Sequence, residues 1–209
     1  MNKREFLQLG AGLATLAVRE AYGSTSAARV FGRTLIDGRG VAIHDERYPD
    51  SMRFARALSA AGALRIPVQA DIVRLWHGRF PEVLQQDCAW IGGLTTGSDQ
   101  TVVEACVKPY GFIKFFTGRH DGRGAGQLAH TLDYRGADFD LAGIFTDGSW
   151  AERLAETLSA RGLPEGVARM ATAHSSRPAV YPGTLFSWLL VRNKWELLAK
   201  TQSPARKLI

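Results

Sequence analysis

The chain lacks most of the features that would place it at once in a functional class. It has only two cysteines, Cys88 and Cys106, and no HExxH, HxH or Cys-x-x-Cys spacing, so no metal site is expected. No apolar run after residue 27 is long enough to span a bilayer, and no repeat or low-complexity tract occurs. The sequence is therefore not that of a disulfide scaffold, a zinc domain, a solenoid or a membrane bundle.

Nucleic-acid recognition is also unsupported, although the formal net charge is +6. The lysines and arginines are scattered along the chain, and no zinc-finger, RNP or recognition-helix pattern accompanies them. An apolar fraction of 45% and a charged fraction of 22% are ordinary for a globular protein. We therefore expect no nucleic-acid partner, and one domain of about 180 residues once the N-terminal segment is removed.

The N-terminal segment carries the clearest signal in the sequence. Residues 1–9 read MNKREFLQL, a short basic start, and the apolar stretch GAGLATLAV follows. Small residues then occur at 21–23 and 25–27, where a signal peptidase could cut. Residues 1–27 are therefore predicted to be an export signal, residues 28–200 a single domain and residues 201–209 a basic C-terminal tail.

The basic start resembles the twin-arginine export motif S/T-R-R-x-F-L-K. Phe6 and Leu7 match this motif, whereas Lys3 replaces the first arginine and Gln8 replaces the last lysine. The resemblance implies a bacterial protein that crosses the membrane already folded, into the periplasm or the medium. That route suits a protein loaded with a cofactor or carried with a partner. Two alternatives stay open: the ordinary secretory route, and an N-terminal amphipathic helix that is retained.

The first half of the domain alternates between strand and helix patterns. Strands are predicted at residues 40–44, 66–70 and 89–94, and helices are predicted to start near Pro49, Asp71 and Ser98. Pro67 restricts the second strand to the edge of the sheet or to its own start. This alternation is typical of a parallel sheet covered by helices, so we predict an α/β, Rossmann-like or flavodoxin-like three-layer sandwich.

The second half has a different pattern. Residues 112–120 and 127–135 are strand-like and joined by the glycine-rich link DGRGAG, which predicts an antiparallel hairpin that extends the sheet. Residues 141–145 are predicted to form a short strand, and a capping box at residue 149 starts a helix that runs to Gly162. Residues 184–191 are predicted to be a final strand buried on both faces.

Two loops are expected to meet at one edge of this sheet, because ligands of open α/β sheets bind at the carboxyl ends of the strands. The loop HDERYP follows the first strand, and the loop GLTTGSDQ follows the third. The predicted ligand-binding residues are Asp45, Arg47, Thr95, Thr96, Ser98 and Asp99. Arg119 or His120 from the hairpin could join them.

The segment GGLTTGS at residues 92–98 resembles an anion cradle, since glycines let a backbone approach closely and helix amides point outward. It matches neither the dinucleotide motif G-x-G-x-x-G nor a lysine-bearing P-loop. Asp99 would place a negative charge where the anion binds. We therefore favour a tight strand-to-helix turn in which Ser98 is the N-cap.

A catalytic interpretation needs a nucleophile beside a base. Ser98 is outside the G-x-S-x-G pattern, and the adjacent residues His44 and Asp45 point to opposite faces of a strand. The remaining candidates for catalysis are Asp45, Ser98 and His120, brought together from different loops. Each histidine is otherwise expected to be exposed or hydrogen-bonded, and the sequence identifies no cofactor.

Cys88 and Cys106 are expected to stay unpaired. The strand that starts at Cys88 rises about 20 Å, whereas the helix that leads to Cys106 returns only about 12 Å. The offset between them exceeds the roughly 7 Å allowed between bridged Cα atoms. The large aromatic residues fall mostly on predicted elements, so they are expected to pack in the core.

The chain from IHDER through GLTTGSD to the terminal LFSWLLV strand resembles a group of functionally unassigned bacterial proteins with twin-arginine signals. This resemblance implies export and one compact domain, and it carries no catalytic residue across. The leading hypothesis is an exported accessory or small-molecule-binding protein. The alternatives are a small hydrolase or isomerase that uses Asp45 or His120 with Ser98, and a non-catalytic subunit that carries a cofactor-bearing partner through the twin-arginine pathway.

Overall fold

The computed structural model describes residues 39–68, 72–78, 80–85, 88–123, 127–135, 140–160, 168–175 and 183–193. The predicted export signal, the basic C-terminal tail and the predicted helix start at Asp71 lie outside these residues. Within the described ranges, no helix has the length and apolarity needed to cross a membrane. Because the predicted signal lies outside the described residues, export remains a prediction.

The described residues form one seven-stranded sheet with helices, which confirms the α/β class. In chain order the elements are β1 (Arg39–His44), α1 (Pro49–Ala60), β2 (Leu64–Pro67), α2 (Ile72–His77), α3 (Phe80–Gln85), β3 (Cys88–Thr95), α4 (Gly97–Val107), β4 (Phe112–Arg123), β5 (Gln127–Arg135), α5 (Leu141–Phe145), α6 (Trp150–Ala160), β6 (Ala168–Ser175) and β7 (Gly183–Arg192). The strand order across the sheet is β2-β1-β3-β7-β4-β5-β6.

The parallel half of the sheet consists of β2, β1 and β3. β1 pairs in parallel with β2, where His44 is opposite Pro67, and with β3, where His44 is opposite Leu94. Helices connect these strands, because parallel neighbours need a crossover that returns the chain to the same end of the sheet. The predicted alternation is therefore confirmed. Pro67 lies in the edge strand, where a missing N–H is tolerated.

β7 joins the parallel half to an antiparallel half. It pairs antiparallel with β3 on one side and with β4 on the other, and β5 and β6 continue the antiparallel pairing. The predicted hairpin is confirmed as β4 and β5, and the predicted final strand is confirmed as β7. Residues 187–191 of β7 are all buried, as expected for a strand covered on both faces.

Two hydrophobic clusters lie on opposite faces of the sheet, because successive side chains of a strand alternate between faces. On β1, Ala42 belongs to the cluster that includes residues of α1, α5 and α6, whereas Val41 and Ile43 belong to the cluster that includes residues of α2, α3 and α4. We call the first face A and the second face B. β7 alternates in the same way, with Leu189 on face A and Trp188 on face B.

Two elements differ from the sequence prediction. Residues 141–145 form a helix and not a strand, because the Asp140 side chain accepts a hydrogen bond from the Gly143 N–H (2.9 Å) and caps the first turn. Residues 168–175, for which no strand is predicted, form the edge strand β6. The sequence of β6, ARMATAHS, is small and polar, so no apolar alternation marks it as a strand.

Cys88 and Cys106 are both free, as predicted. Cys88 is buried, and burial raises the pKa of its thiol to about 11, so this cysteine is a core residue and not a nucleophile. Cys106 on α4 is half-buried. The expected packing of aromatic residues is confirmed by the burial of Trp90, Phe112, Phe116, Trp150 and Trp188.

Candidate functional site

The carboxyl ends of β1 and β3 lie side by side at one edge of the sheet. The two strands are parallel neighbours, and His44 is opposite Leu94 in their register. Segments 45–48 and 96–99, which leave these strands, therefore start from the same edge. We call these two segments the rim. From β1 the chain moves outward to β2 and then returns past β1 to β3, so the direction of winding reverses at the rim.

Asp45 organises the first half of the rim. Its buried carboxylate accepts hydrogen bonds from Arg47 Nε (2.9 Å) and Arg47 Nη2 (2.6 Å), while the Arg47 side chain is 55% exposed. The Asp45 N–H donates to Ser51 Oγ (2.8 Å), and the Ser51 hydroxyl donates to the Leu94 carbonyl. The hydrogen bonds to Asp45 are the main cause of the raised pKa of Arg47, and Asp99 adds to it from the other half of the rim. Ser51 therefore ties the loop after β1 to the end of β3.

The second half of the rim is the N-terminus of α4. The helix begins at Gly97, and its N-cap is Thr96, whose Oγ1 accepts from the Asp99 N–H (3.3 Å) and donates to the Asp99 carboxylate (2.7 Å). The prediction of Ser98 as the N-cap is wrong, because Thr96 has the extended backbone of an N-cap and Ser98 is already helical. Ser98 is exposed, and its Oγ lies 2.9 Å from Thr96 Oγ1.

Thr95 lies behind the rim. It is fully buried, and its Oγ1 accepts a hydrogen bond from Trp188 Nε1 on β7 (3.0 Å). Gly93 makes room for the indole, since a Cβ at this position would lie 2.7 Å from Trp188 Cε2. The structure therefore brings five of the predicted ligand-binding residues to the rim: Asp45, Arg47, Thr96, Ser98 and Asp99.

Charge limits what the rim can bind. Asp45, Glu46 and Asp99 carry carboxylates, and Arg47 is the one cation of the two rim segments. This excess of negative charge opposes a phosphate at the α4 N-terminus, even though helix N-termini favour anions. Among the described residues, no group of three or more His, Cys, Asp and Glu side chains is arranged to hold a metal ion.

His120 lies on face A, on β4, which β7 separates from β3. It is fully buried, its Nε2 is 2.7 Å from Ser187 Oγ, and its Nδ1 is 2.7 Å from the Nδ1 of His130. Ser98 belongs to α4, whose core residues face the opposite side of the sheet. The structure therefore does not bring Asp45, Ser98 and His120 together. The imidazole of His120, the candidate base, contacts Ser187 and not Ser98.

Aromatic rings enclose His120 and His130, which we call the histidine pair. Phe145 stacks on His130 with ring centroids 3.9 Å apart, and Trp150 lies 4.3 Å from His120. Burial lowers the pKa of His120 well below its usual value and lowers that of His130 to about 3. Both rings are therefore neutral near pH 7, and one Nδ1 hydrogen serves both. The buried Nε2 of His130 has no hydrogen-bond partner among the described residues.

Two residues of this cluster, His130 and Ser187, are not among the predicted site residues. The hairpin contains a signal for the first of them, because residues equally far from the centre of its link face each other. Arg123 is opposite Gln127 in this register, so His120 is opposite His130. Ser187 gives no such signal, because its neighbours depend on where β7 enters the sheet.

Comparison with family models, with curated proteins and with solved structures gives no match to this chain. Any functional assignment therefore depends on the geometry of the rim and of the histidine pair.

Replacing Thr96 by alanine should lower the free energy of unfolding by about 1 kcal/mol, because the Asp99 N–H loses its cap. Ser98→Ala is the matched control, and its effect should stay within about 0.5 kcal/mol because the side chain is exposed. Urea unfolding followed by tryptophan fluorescence measures both values. The reverse ranking would show that Ser98 caps the helix in solution.

Gly118 of β4 has no side chain, and this leaves room for the hydrogen bond between Ser187 and His120. A Cβ at this glycine would lie 2.7 Å from Leu132 Cδ2 and 3.1 Å from His120 Nε2, and closer still to Ser187 Oγ. We expect Gly118→Ala to destabilise the protein by about 1–3 kcal/mol in thermal unfolding. Gly78→Ala is the control, because its new Cβ would make only ordinary contacts at 3.5 Å. Equal stability of the two variants would contradict this close packing around Gly118.

Proposed function

We propose that this protein is an exported, periplasmic or secreted protein that binds a small polar molecule at the rim. One observation carries the proposal: the carboxyl ends of β1 and β3 lie together where the winding of the sheet reverses. In open α/β sheets a crevice forms at such a place, because the two crossovers leave in opposite directions and neither helix covers the edge. Three polar residues of the rim, Glu46, Arg47 and Ser98, are exposed and available to a ligand.

The proposal includes a finer description of the fold. The parallel order β2-β1-β3 agrees with a flavodoxin-like, Rossmann-related sandwich, in which the reversal between β1 and β3 marks the ligand site. Core residues of α1 on face A and of α2 and α3 on face B support three layers, because consecutive crossovers then cover opposite faces. The strands β7, β4, β5 and β6 extend that arrangement with antiparallel pairs.

The ligand class follows from the charges and donors of the rim. Three carboxylates against one guanidinium favour a neutral molecule with several hydroxyls, or an amine, over a phosphate. Arg47 uses Nε and Nη2 for Asp45, which leaves Nη1 as a donor toward solvent. Ser98 is also exposed, and its hydroxyl can act as a donor or an acceptor. A hydrolase centred on Ser98 is not favoured, because Thr96 and not a base lies at its hydroxyl.

Native mass spectrometry of the full chain, purified from a bacterial host without added ligand, tests the proposal. We expect a bound molecule of low mass in the wild type and in Arg56→Ala, which removes an exposed charge from α1. Arg47→Ala should lose it, and Ser98→Ala should weaken its binding about tenfold, the effect of one lost hydrogen bond. Retention by Arg47→Ala would exclude the rim. A companion chain in place of a small molecule would favour the partner-subunit hypothesis.

Export is tested separately with the full-length chain and Arg4→Lys. We expect the wild type to appear outside the cytoplasm with a mass that lacks the N-terminal segment. Arg4→Lys should remain inside and uncleaved, because it removes the one arginine that aligns with the twin-arginine motif. Unchanged export of the variant would indicate the ordinary secretory route. Wild-type protein that stays inside at full mass would contradict export altogether.

A further inference from the structure

A short segment of chain closes off the histidine pair. α5 contains only the residues Leu141–Phe145, too few for a helix that is stable on its own. Phe145 at its end and Trp150 at the start of α6 are 2% and 3% exposed, and their rings lie on the pair. Arg153 fastens α5 to α6, since its Nη1 donates to the Gly143 carbonyl (2.6 Å). We call residues 140–150 the cover.

We propose that the histidine pair is an acid-sensitive latch: proton uptake by the pair releases Phe145 and Trp150, and the cover opens away from face A. With one hydrogen between them, the two Nδ1 atoms can lie 2.7 Å apart as donor and acceptor. When both Nδ1 atoms carry hydrogens, the two N–H groups point at each other and one ring must turn. The rings of the cover occupy the space above both imidazoles, so such a turn displaces the cover.

The surroundings of the pair do not offset a positive charge. Among the described residues that pack on it, β7 contributes the neutral Ser187, β6 contributes His174, and Leu141–Phe145 has no titratable side chain. In the neighbouring helices, Asp50 and Glu152 pair with Arg53, and Arg153 pairs with Asp147. The remaining charged residues, Arg56 and Glu156, are exposed. A buried charge without a carboxylate partner is costly, so protonation favours a state in which the imidazoles reach water.

The direction of the pH effect follows from proton binding in the two states. Burial lowers the pKa of both imidazoles when the cover is closed, whereas an exposed histidine titrates near 6.5. The open state therefore binds more protons. The free energy that favours the closed state over the open state is therefore largest above pH 6.5, and it decreases as the pH falls. With two histidines, the equilibrium constant for opening should rise about 100-fold per pH unit below roughly pH 6.

A third buried histidine, His44, contributes to acid unfolding at a different place. Burial is the main cause of its lowered pKa, and β3 and β7 separate β1 from the strands of the pair. His44 therefore adds to the pH dependence of global unfolding and not to that of cover opening. A test of the latch must measure the cover separately from the centre of the sheet.

Hydrogen exchange followed by mass spectrometry on the full-length chain makes this separation. Peptides that contain residues 140–150 are compared with peptides from β3 between pH 7 and pH 4.5, after correction for the intrinsic exchange rate at each pH. We expect the opening constant of the cover to rise about 100-fold per pH unit at the acid end, well before β3 exchanges. A cover that shows no pH dependence, or that opens only together with β3, overturns the proposal.

Two variants assign the effect to the pair. His130→Phe keeps an aromatic ring against Phe145 and leaves one titrating imidazole. The opening constant of the cover should then increase only about 10-fold per pH unit. His77→Gln removes an exposed histidine of α2 and should leave the 100-fold rise unchanged. A full 100-fold rise in His130→Phe would overturn the proposal, and the wild-type comparison decides it if that variant does not fold.

Discussion

The insertion of β7 between β3 and β4 is the constraint on which both polar sites depend. Successive residues of this strand serve opposite faces: Trp188 reaches Thr95 behind the rim, and Ser187 reaches His120. β7 is the last described strand in the chain, and both of its partners come much earlier, so these contacts are long-range. Without β7, the parallel half and the hairpin would each present an unpaired edge. The rim and the histidine pair are therefore completed only when the whole sheet is assembled.

Glycines on the neighbouring strands give each of these β7 side chains its space. Gly93 of β3 is directly opposite Trp188, and Gly118 of β4 is directly opposite Ser187. A Cβ at either position would overlap the side chain across from it. Glycine weakens a strand when it has no such role, so its presence at both positions reflects the close approach. The same device thus places an indole behind the rim and a hydroxyl beside the histidine pair.

The sequence predicts the parallel half well, because each strand and helix there has a clear apolar period and a turn or cap signal. It does not predict β6, whose exposed edge needs no apolar face, and it mistakes the apolar run LAGIF for a strand because the cap from Asp140 is a matter of local geometry. At the rim, Asp45 and Arg47 can be predicted from the sequence because their loop directly follows β1. Ser187 cannot be foreseen, since strand order is set by packing between elements distant in the chain.

In this protein the exposed polar groups and the buried imidazole base lie at different places. Ser187, His120 and His130 have the hydrogen bonds of an activated nucleophile, with a serine at the base and a third group that orients the base. Ser187 and His120 are nevertheless completely buried, so no substrate reaches the hydroxyl while the cover is closed. The rim has the opposite properties, since Arg47 and Ser98 are exposed and the hydroxyl of Ser98 has Thr96 beside it. Nucleophilic catalysis requires a nucleophile that is both hydrogen-bonded to a base and accessible to the substrate. Binding requires only exposed polar groups. This division supports the proposed binding function at the rim and the proposed role of the imidazoles in the stability of the cover.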